Sequence, residues 1–181
     1  MVLEPLLLKR RATSGEASMH PKQTGGPSLK NLRIKVQESN FDVSDELATL
    51  RNDQPGVGAV ASFVGIVRDL NDDLSVSTMH LEHYPGMTEK AIEAIAHEAN
   101  ERWQLAGVTV IHRVGLLKPL DQIVLVAVAS AHRGDAFGAC EFIMDYLKTR
   151  APFWKRETTP DGDRWVDARA TDDTAAERWQ R

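Results

Sequence analysis

Cysteine is almost missing from this chain. Cys140 stands alone among 181 residues, so no intrachain disulfide can form and a cysteine-rich zinc site is excluded. That pattern fits a reducing compartment and a cytoplasmic location. Positive charge is also in short supply overall. Lys and Arg number 22 against 26 Asp and Glu, a formal charge of −4. A general nucleic-acid binder carries a basic footprint, so that class is set aside and any anion binding must be local. No apolar run reaches the roughly 18–20 residues that span a bilayer, so no membrane association is expected. The phosphate-cradling G-x-x-x-x-G-K-[ST] loop, the G-x-G-x-x-G turn and the G-x-S-x-G elbow are all missing. Metal binding is not expected either. His80 and His83 lie three apart on a strand and point to opposite faces, while His97 and His112 have no partner spacing. Each of these reads as a solvated or core histidine. Cys140, in the middle of a helix, reads as packing.

What is present is ordinary in bulk, with 42% hydrophobic and 27% charged residues, and the length favours one domain with a real core. The unusual stretch is local. Between Lys148 and Arg156 stand four cations and no acid: Lys148, Arg150, Lys155 and Arg156, interleaved with Pro152, Phe153 and Trp154. Like charges repel, so a fold keeps such a cluster at less cost if an anion sits there or if the lysines need lowered pKa values. The plain alternative is a solvated helix end, where lysines favour the negative end of the macrodipole and Asp145 reaches Lys148 or Thr149 across one turn.

Periodicity lays out the rest. Leu32–Gln37 alternates apolar and polar as a half-buried strand. Asp42 or Ser44 caps a short helix with Val43, Leu47 and Leu50 on one face. Residues 58–67 form a mostly covered strand whose glycines suggest close backbone approach or a bulge, with Arg68 at its end and the polar loop Asp69–Asp73 beyond. Residues 76–84 form a strand. Thr88 is the expected cap of a helix whose apolar stripe runs from Ala91 to Trp103. Residues 108–114 form a strand, and Ile123–Ala129 a central strand buried on both faces. Asp135 is the expected cap of a second long helix, stopped by Pro152. Residues 153–158 and 164–168 form a hairpin about the turn Pro160–Asp163. Residues 1–30 read as a disordered tail, their Leu6–Leu8 run being too short for a secretory signal. Residues 31–170 form the domain, and 171–181 a tail or short helix. The expected class is α+β, a mixed sheet with two long helices and a C-terminal hairpin.

Two groups of side chains can carry chemistry. Arg68 ends one strand, while His132 and Arg133 end another just before a helix N-terminus that favours negative charge. Lys148 and Lys155 lie beyond the far end of that helix, so His132-Arg133 and Lys148 cannot share one small ligand within one subunit. They meet only if two copies pack together, which points to a site shared across a homodimer. For the lysines the options are acid–base or covalent chemistry. Two function classes follow from the residues alone: a non-catalytic anion-binding α+β module sensing a phosphorylated metabolite, and a lysine enzyme working by acid–base or Schiff-base chemistry.

In order along the chain, Gly65-Ile-Val-Arg68, Leu81-Glu-His-Tyr-Pro-Gly-Met-Thr-Glu-Lys90, Val110-Ile-His-Arg-Val-Gly115, Ser130-Ala-His-Arg133, residues 142–157 and Gly162-Asp-Arg-Trp-Val166 resemble the catalytic, large-subunit family of molybdopterin synthase. The resemblance spans residues 32–169. It implies an α/β hammerhead-type fold and a sulfurtransferase of molybdenum cofactor biosynthesis. Such an enzyme moves sulfur from the C-terminal Gly-Gly thiocarboxylate of a small ubiquitin-like carrier subunit to cyclic pyranopterin monophosphate (precursor Z), giving the molybdopterin dithiolene. It implies a central homodimer with one carrier at each end, a heterotetramer, and no cofactor for the transfer itself. Carried over by motif, Lys148 and Lys155 are the catalytic lysines, and Ile66, Val67, Arg68, His132, Arg133, Arg156, Glu157 and Arg169 are substrate-binding. Two departures stand out: the loop after Arg68 lacks the glycine expected of relatives, and residues 1–30 exceed what the family needs. The C-terminal Trp179-Gln-Arg181 is not Gly-Gly, so the carrier is expected to be a separate chain.

Overall fold

The computed structural model describes residues 29–71, 74–166 and 170–180. Its elements run β1 (Leu32–Gln37), α1 (Val43–Arg51), β2 (Ala59–Ile66), β3 (Leu70–Asn71), β4 (Leu74–Ser75), β5 (Thr78–His83) and α2 (Met87–Arg102). They continue with β6 (Leu105–Arg113), β7 (Gly115–Leu117), β8 (Gln122–Ser130), α3 (Arg133–Arg150), β9 (Phe153–Thr159), β10 (Gly162–Val166) and α4 (Ala170–Glu177), closed by a 3-10 turn over Arg178–Gln180. The class is α+β. Among the described residues no helix is long and apolar enough to cross a membrane.

The single mixed sheet expected from the sequence is in fact divided. One four-stranded sheet has the order β1-β6-β8-β2, parallel between β1 and β6 and antiparallel elsewhere. A second, fully antiparallel sheet has the order β10-β9-β5-β7, and β3 and β4 pair as a small ribbon. The short strand β7, just after the strand expected over residues 108–114 and in a segment given no element there, completes the second sheet. Periodicity says which residues are extended, but it does not say which strands exchange hydrogen bonds.

Packing follows the apolar pattern. β8 is apolar on both faces because both are covered. On one side α2 and α3 bury Ile92, Ala96, Phe142 and Ile143 against Val108, Val110, Val126 and Val128. On the other side α1 presses Leu50 toward Ile111, Leu125 and Ala127. The second sheet has its own small core of Val67, Met79, Leu81 and Leu117. Glycines in β2 and just before it do what their spacing suggested. A Cβ on Gly58 would collide with the Ala131 carbonyl, and Gly65 stands at the register shift where β8 carries an extra residue, Ile123, opposite β2.

The caps differ in detail. Asp42 caps α1 as expected, accepting from the Asp45 N–H at 3.0 Å. α2 starts at Met87, after Gly86, whose φ of +79° a glycine adopts without penalty; Glu89 accepts from the Gly86 N–H at 2.7 Å. Thr88 therefore lies inside the helix, buried, where its hydroxyl accepts from the Tyr84 N–H and donates to the Pro152 carbonyl, each at 3.1 Å. That contact ties the start of α2 to the stop of α3. α3 begins one turn earlier than expected, with His132 at its cap and Asp135 in its first turn.

Candidate active site

Four segments remote in sequence meet at one cavity of about 540 Å³. The end of β2, opposite the bulge at Ile123 of β8, contributes Ile66 and, just beyond it, Arg68. The last turns of α3 contribute Met144 and Lys148. β9 contributes Phe153, Lys155 and Glu157 on alternate positions, all on one face of the strand. α4 contributes Asp172. The two lysines of the basic stretch thus reach one space from opposite sides of Pro152.

Glu157 anchors the floor. It is 1% exposed, yet it is charged, because every neighbour that touches its carboxylate donates. Asn71 Nδ2 lies 2.9 Å from both oxygens, Lys155 Nζ is 3.1 Å from Oε1, and Arg164 Nη2 is 3.1 Å from Oε2. Burial alone would raise its pKa. The Asn71 hydrogen bond and the Lys155 and Arg164 cations outweigh that and hold it below the usual carboxylate range. Arg68 Nη2 approaches Asn71 Oδ1 at 3.4 Å, which links the end of β2 to the same network.

The lip is built differently. Lys148 Nζ pairs with Asp172 Oδ1 at 2.9 Å, and the lysine side chain is 52% exposed. α4 is held there by its continuation. Asp145 accepts from Arg178 Nη2 at 2.6 Å and from Trp179 Nε1 at 2.7 Å, and the Trp179 ring meets Trp103 and Phe142 edge-on.

The cation cluster seen in the sequence therefore dissolves in space. Lys148 meets Asp172, Arg150 meets Glu98 at 2.7 Å, Lys155 meets Glu157, and Arg156 meets Asp163 at 3.3 Å. Glu157 borders the stretch and the other three acids lie farther off, while Asp145 is engaged by Arg178 and Trp179 and its backbone carbonyl accepts from the Thr149 hydroxyl.

Of the residues singled out from the sequence, Lys148, Lys155, Ile66, Arg68 and Glu157 line the cavity. Val67 does not. It is 1% exposed and packs into the second core with Met79, Leu81 and Leu117, because its neighbours Ile66 and Arg68 take the cavity side. Arg156 does not either. Between Lys155 and Glu157 on a strand it must face the other way, where it lies over the Trp165 ring at 5.8 Å. Trp154 shares that outer face opposite Glu82 and is half exposed. His132 and Arg133 stand at the far end of α3, about 22 Å from Lys148 at 1.5 Å per residue. Arg169 lies outside the described residues.

Three contributors were not singled out. Asp172 and Asn71 carried no signal, being ordinary acids and amides in segments read as a tail and a loop. His112 was set aside for lack of a metal-ligand partner. It lines the cavity, with its ring stacked on Phe153 at a centroid distance of 3.8 Å and an interplanar angle of 18°. A second cavity of about 450 Å³ adjoins the first and shares Phe63, Met144 and Lys148 with it.

Comparison with known proteins gives the family. The family model described as "MoaE protein" matches residues 36–150. A "Molybdopterin synthase catalytic subunit" of Ralstonia nicotianae is 64% identical over 146 residues, 81% of this chain and 83% of that one. The solved "Molybdopterin biosynthesis MoaE protein from Burkholderia ambifaria MC40-6" is 61% identical, with a TM-score of 0.72 over 83% of this chain and 99% of the other. A more distant structure, 20% identical with a TM-score of 0.62, covers 75% of this chain and 91% of its own. It is the "Protein-protein complex of subunit 1 and 2 of Molybdopterin-converting factor from Helicobacter pylori 26695".

Proposed function

Because this chain belongs to the MoaE family of molybdopterin synthase catalytic subunits, sulfurtransferases of molybdenum cofactor biosynthesis, we propose that the cavity between β2, α3, β9 and α4 is its sulfur-transfer site. In this reading it holds cyclic pyranopterin monophosphate, and the Gly-Gly thiocarboxylate tail of a small ubiquitin-like carrier enters from solvent. The division into two sheets supports a hammerhead-type architecture in this reading. The observation that carries the reading is the convergence of Lys148 and Lys155, from a helix end and a strand, on one cavity with Arg68.

The chemistry follows from charge and geometry. The substrate brings a cyclic phosphate and a flat pterin, and the carrier brings an anionic tail. Lysine ammonium groups orient these anions and donate protons to oxygens that leave as sulfur is installed; once neutral, they accept protons. Lys155 works from a fixed position, since Glu157 is itself held by Asn71 and Arg164. Lys148 must exchange Asp172 for the incoming anion. The apolar walls, Phe63, Ile66, Met144 and Phe153, suit the pterin. The Helicobacter pylori complex of two subunits supports a separate carrier chain here.

His132 and Arg133 join the site in the second half of the reading, a homodimer. β2 is an edge strand of its sheet, and Phe63, Ile66 and Phe137 beside it are exposed. Antiparallel pairing of β2 with β2 of a second copy would reverse the strand end for end. Ala59 pairs with Ser130, two residues before His132, so the reversal carries the partner copy's His132-Arg133 loop toward the Arg68 end. Loss of both Lys148 and Lys155 removes turnover far more than binding in an enzyme, whereas a binding module loses affinity in step with charge.

The reconstitution test combines the protein, precursor Z and a thiocarboxylated carrier, and assays the dithiolene product; a folded protein that yields none overturns the reading. For the shared site, Lys148→Ala and Arg133→Ala chains are mixed. A dimer of one of each retains one intact site, so random mixing restores about a quarter of wild-type turnover. No recovery rules out the shared site.

A further inference from the structure

We propose that His112 is the hydrogen-bond acceptor of the cavity, taking an N–H of the pterin on its Nε2 and so selecting for the heterocycle, as the cations select for the phosphate. The inference rests on the functional reading above.

The geometry fixes the tautomer. His112 Nδ1 lies 2.8 Å from the Arg113 carbonyl oxygen. A carbonyl only accepts, so Nδ1 carries the hydrogen and, in the neutral ring, Nε2 keeps a bare lone pair. Burial, with a smaller contribution from the nearby His83, lowers the pKa to about 4 against the opposing pull of the Arg113 carbonyl. The ring is therefore neutral at working pH. Its plane is fixed by the Phe153 stack, and Nε2 has no hydrogen-bond partner among the described residues.

The other polar groups of the cavity explain why this acceptor matters. Arg68, Lys148 and Lys155 present donors. The carboxylates of Glu157 and Asp172 are engaged with cations, and Asn71 Oδ1 faces Arg68. Asp172 stands at the exposed lip, so an N–H donor on the deep side of the cavity can break the buried Glu157 pairs or use His112. Breaking a buried pair costs more than a neutral hydrogen bond returns. A reduced pterin is a flat ring edged with amide and amino N–H groups, and it needs such an acceptor. An apolar aromatic at position 112 would pack as well but would leave those donors unpaired.

The test uses the full chain in complex with a carrier that ends in an ordinary carboxylate, so that no sulfur moves. Calorimetry measures binding of cyclic pyranopterin monophosphate and, separately, of inorganic phosphate. His112→Phe, which keeps the stacked ring, weakens pterin binding roughly three- to tenfold, the scale of one neutral hydrogen bond, and leaves phosphate binding unchanged. His112→Gln, which returns an acceptor, recovers part of the loss. In the wild-type protein the ¹⁵N resonance of the bare Nε2 moves upfield on adding the pterin and stays put on adding phosphate, a readout independent of how either variant folds. An unmoved Nε2 resonance, or equal pterin affinity in wild type and His112→Phe, overturns the inference. A uniform loss for both ligands overturns it too, by reducing His112 to a packing role. Wild-type protein that binds no pterin at all overturns the functional reading, and this inference with it.

Discussion

The floor and the lip of the cavity hold one lysine each, and they hold them by opposite means. At the floor, Lys155 faces a carboxylate that is 1% exposed and bound by three side chains. At the lip, Lys148 faces Asp172 with half its own side chain in solvent. A buried carboxylate is tolerated only while its cations stay, so the floor is part of what keeps the second sheet folded. An exposed pair contributes little, about 0–1 kcal/mol, and is screened by salt. The site thus pairs a lysine whose place is set by the fold with one whose partner can be exchanged for a ligand.

The largest expected effect tests whether both lysines act on the reaction. Lys155→Ala and Lys148→Ala each lower single-turnover sulfur transfer on the order of 10²–10⁴-fold, the range of a lost general acid or base. Their stabilities separate them. Lys148→Ala stays within about 0.5 kcal/mol of wild type in urea unfolding, while Lys155→Ala is clearly destabilised because Glu157 loses one of its two cations. Equal stabilities would erase the distinction between floor and lip.

Next in size is the carboxylate itself. Glu157→Ala leaves Lys155 and Arg164 without their common partner, at a cost of about 3–5 kcal/mol, read by thermal or denaturant unfolding. The pH dependence has a definite sign. The folded pKa of Glu157 lies below its unfolded value of about 4.3, so its contribution is complete above that value and is lost as pH falls through the folded pKa. Glu157→Gln therefore flattens the acid limb of the stability profile below about pH 4.3 and leaves its shape above pH 6 unchanged. An unaltered acid limb would mean that the floor is not held by this charge.

The smallest effect belongs to the lip. Asp172→Ala changes stability by at most about 1 kcal/mol, less at high salt, and tightens phosphate binding at low salt because Lys148 no longer has a competing anion. A large loss of stability would show that α4 is anchored by Asp172 and not by the Asp145–Arg178–Trp179 contacts.

Much of this was readable from local rules. The long apolar run of β8, the stripe of α2, the stop at Pro152 and the turn of the last hairpin each follow from side-chain period or backbone restriction within a few residues. The family motifs picked out both lysines, Arg68 and Glu157. The errors share one cause. Asp135 and Thr88 were given the cap because they carry good capping side chains, but neighbouring His132 and Gly86 took it once tertiary contacts set where each helix began. Val67 and Arg156 were carried over by family motif, and strand alternation faces both away from this cavity.

Linear order alone established an α+β domain, its main helices and strands, and the family to which it belongs, since these depend on spacing within a segment or on the sequence of motifs. Tertiary structure alone decided which acid meets which cation. Glu157 is bound by Asn71, 86 positions away, and Lys148 by Asp172, 24 positions away. Ion pairs and hydrogen bonds depend on distances of a few ångströms, which spacing along the chain does not specify. The run of four cations without an acid was real in sequence and absent in space, because the fold pairs Lys155 with the adjoining Glu157 and brings the other three a partner from farther off.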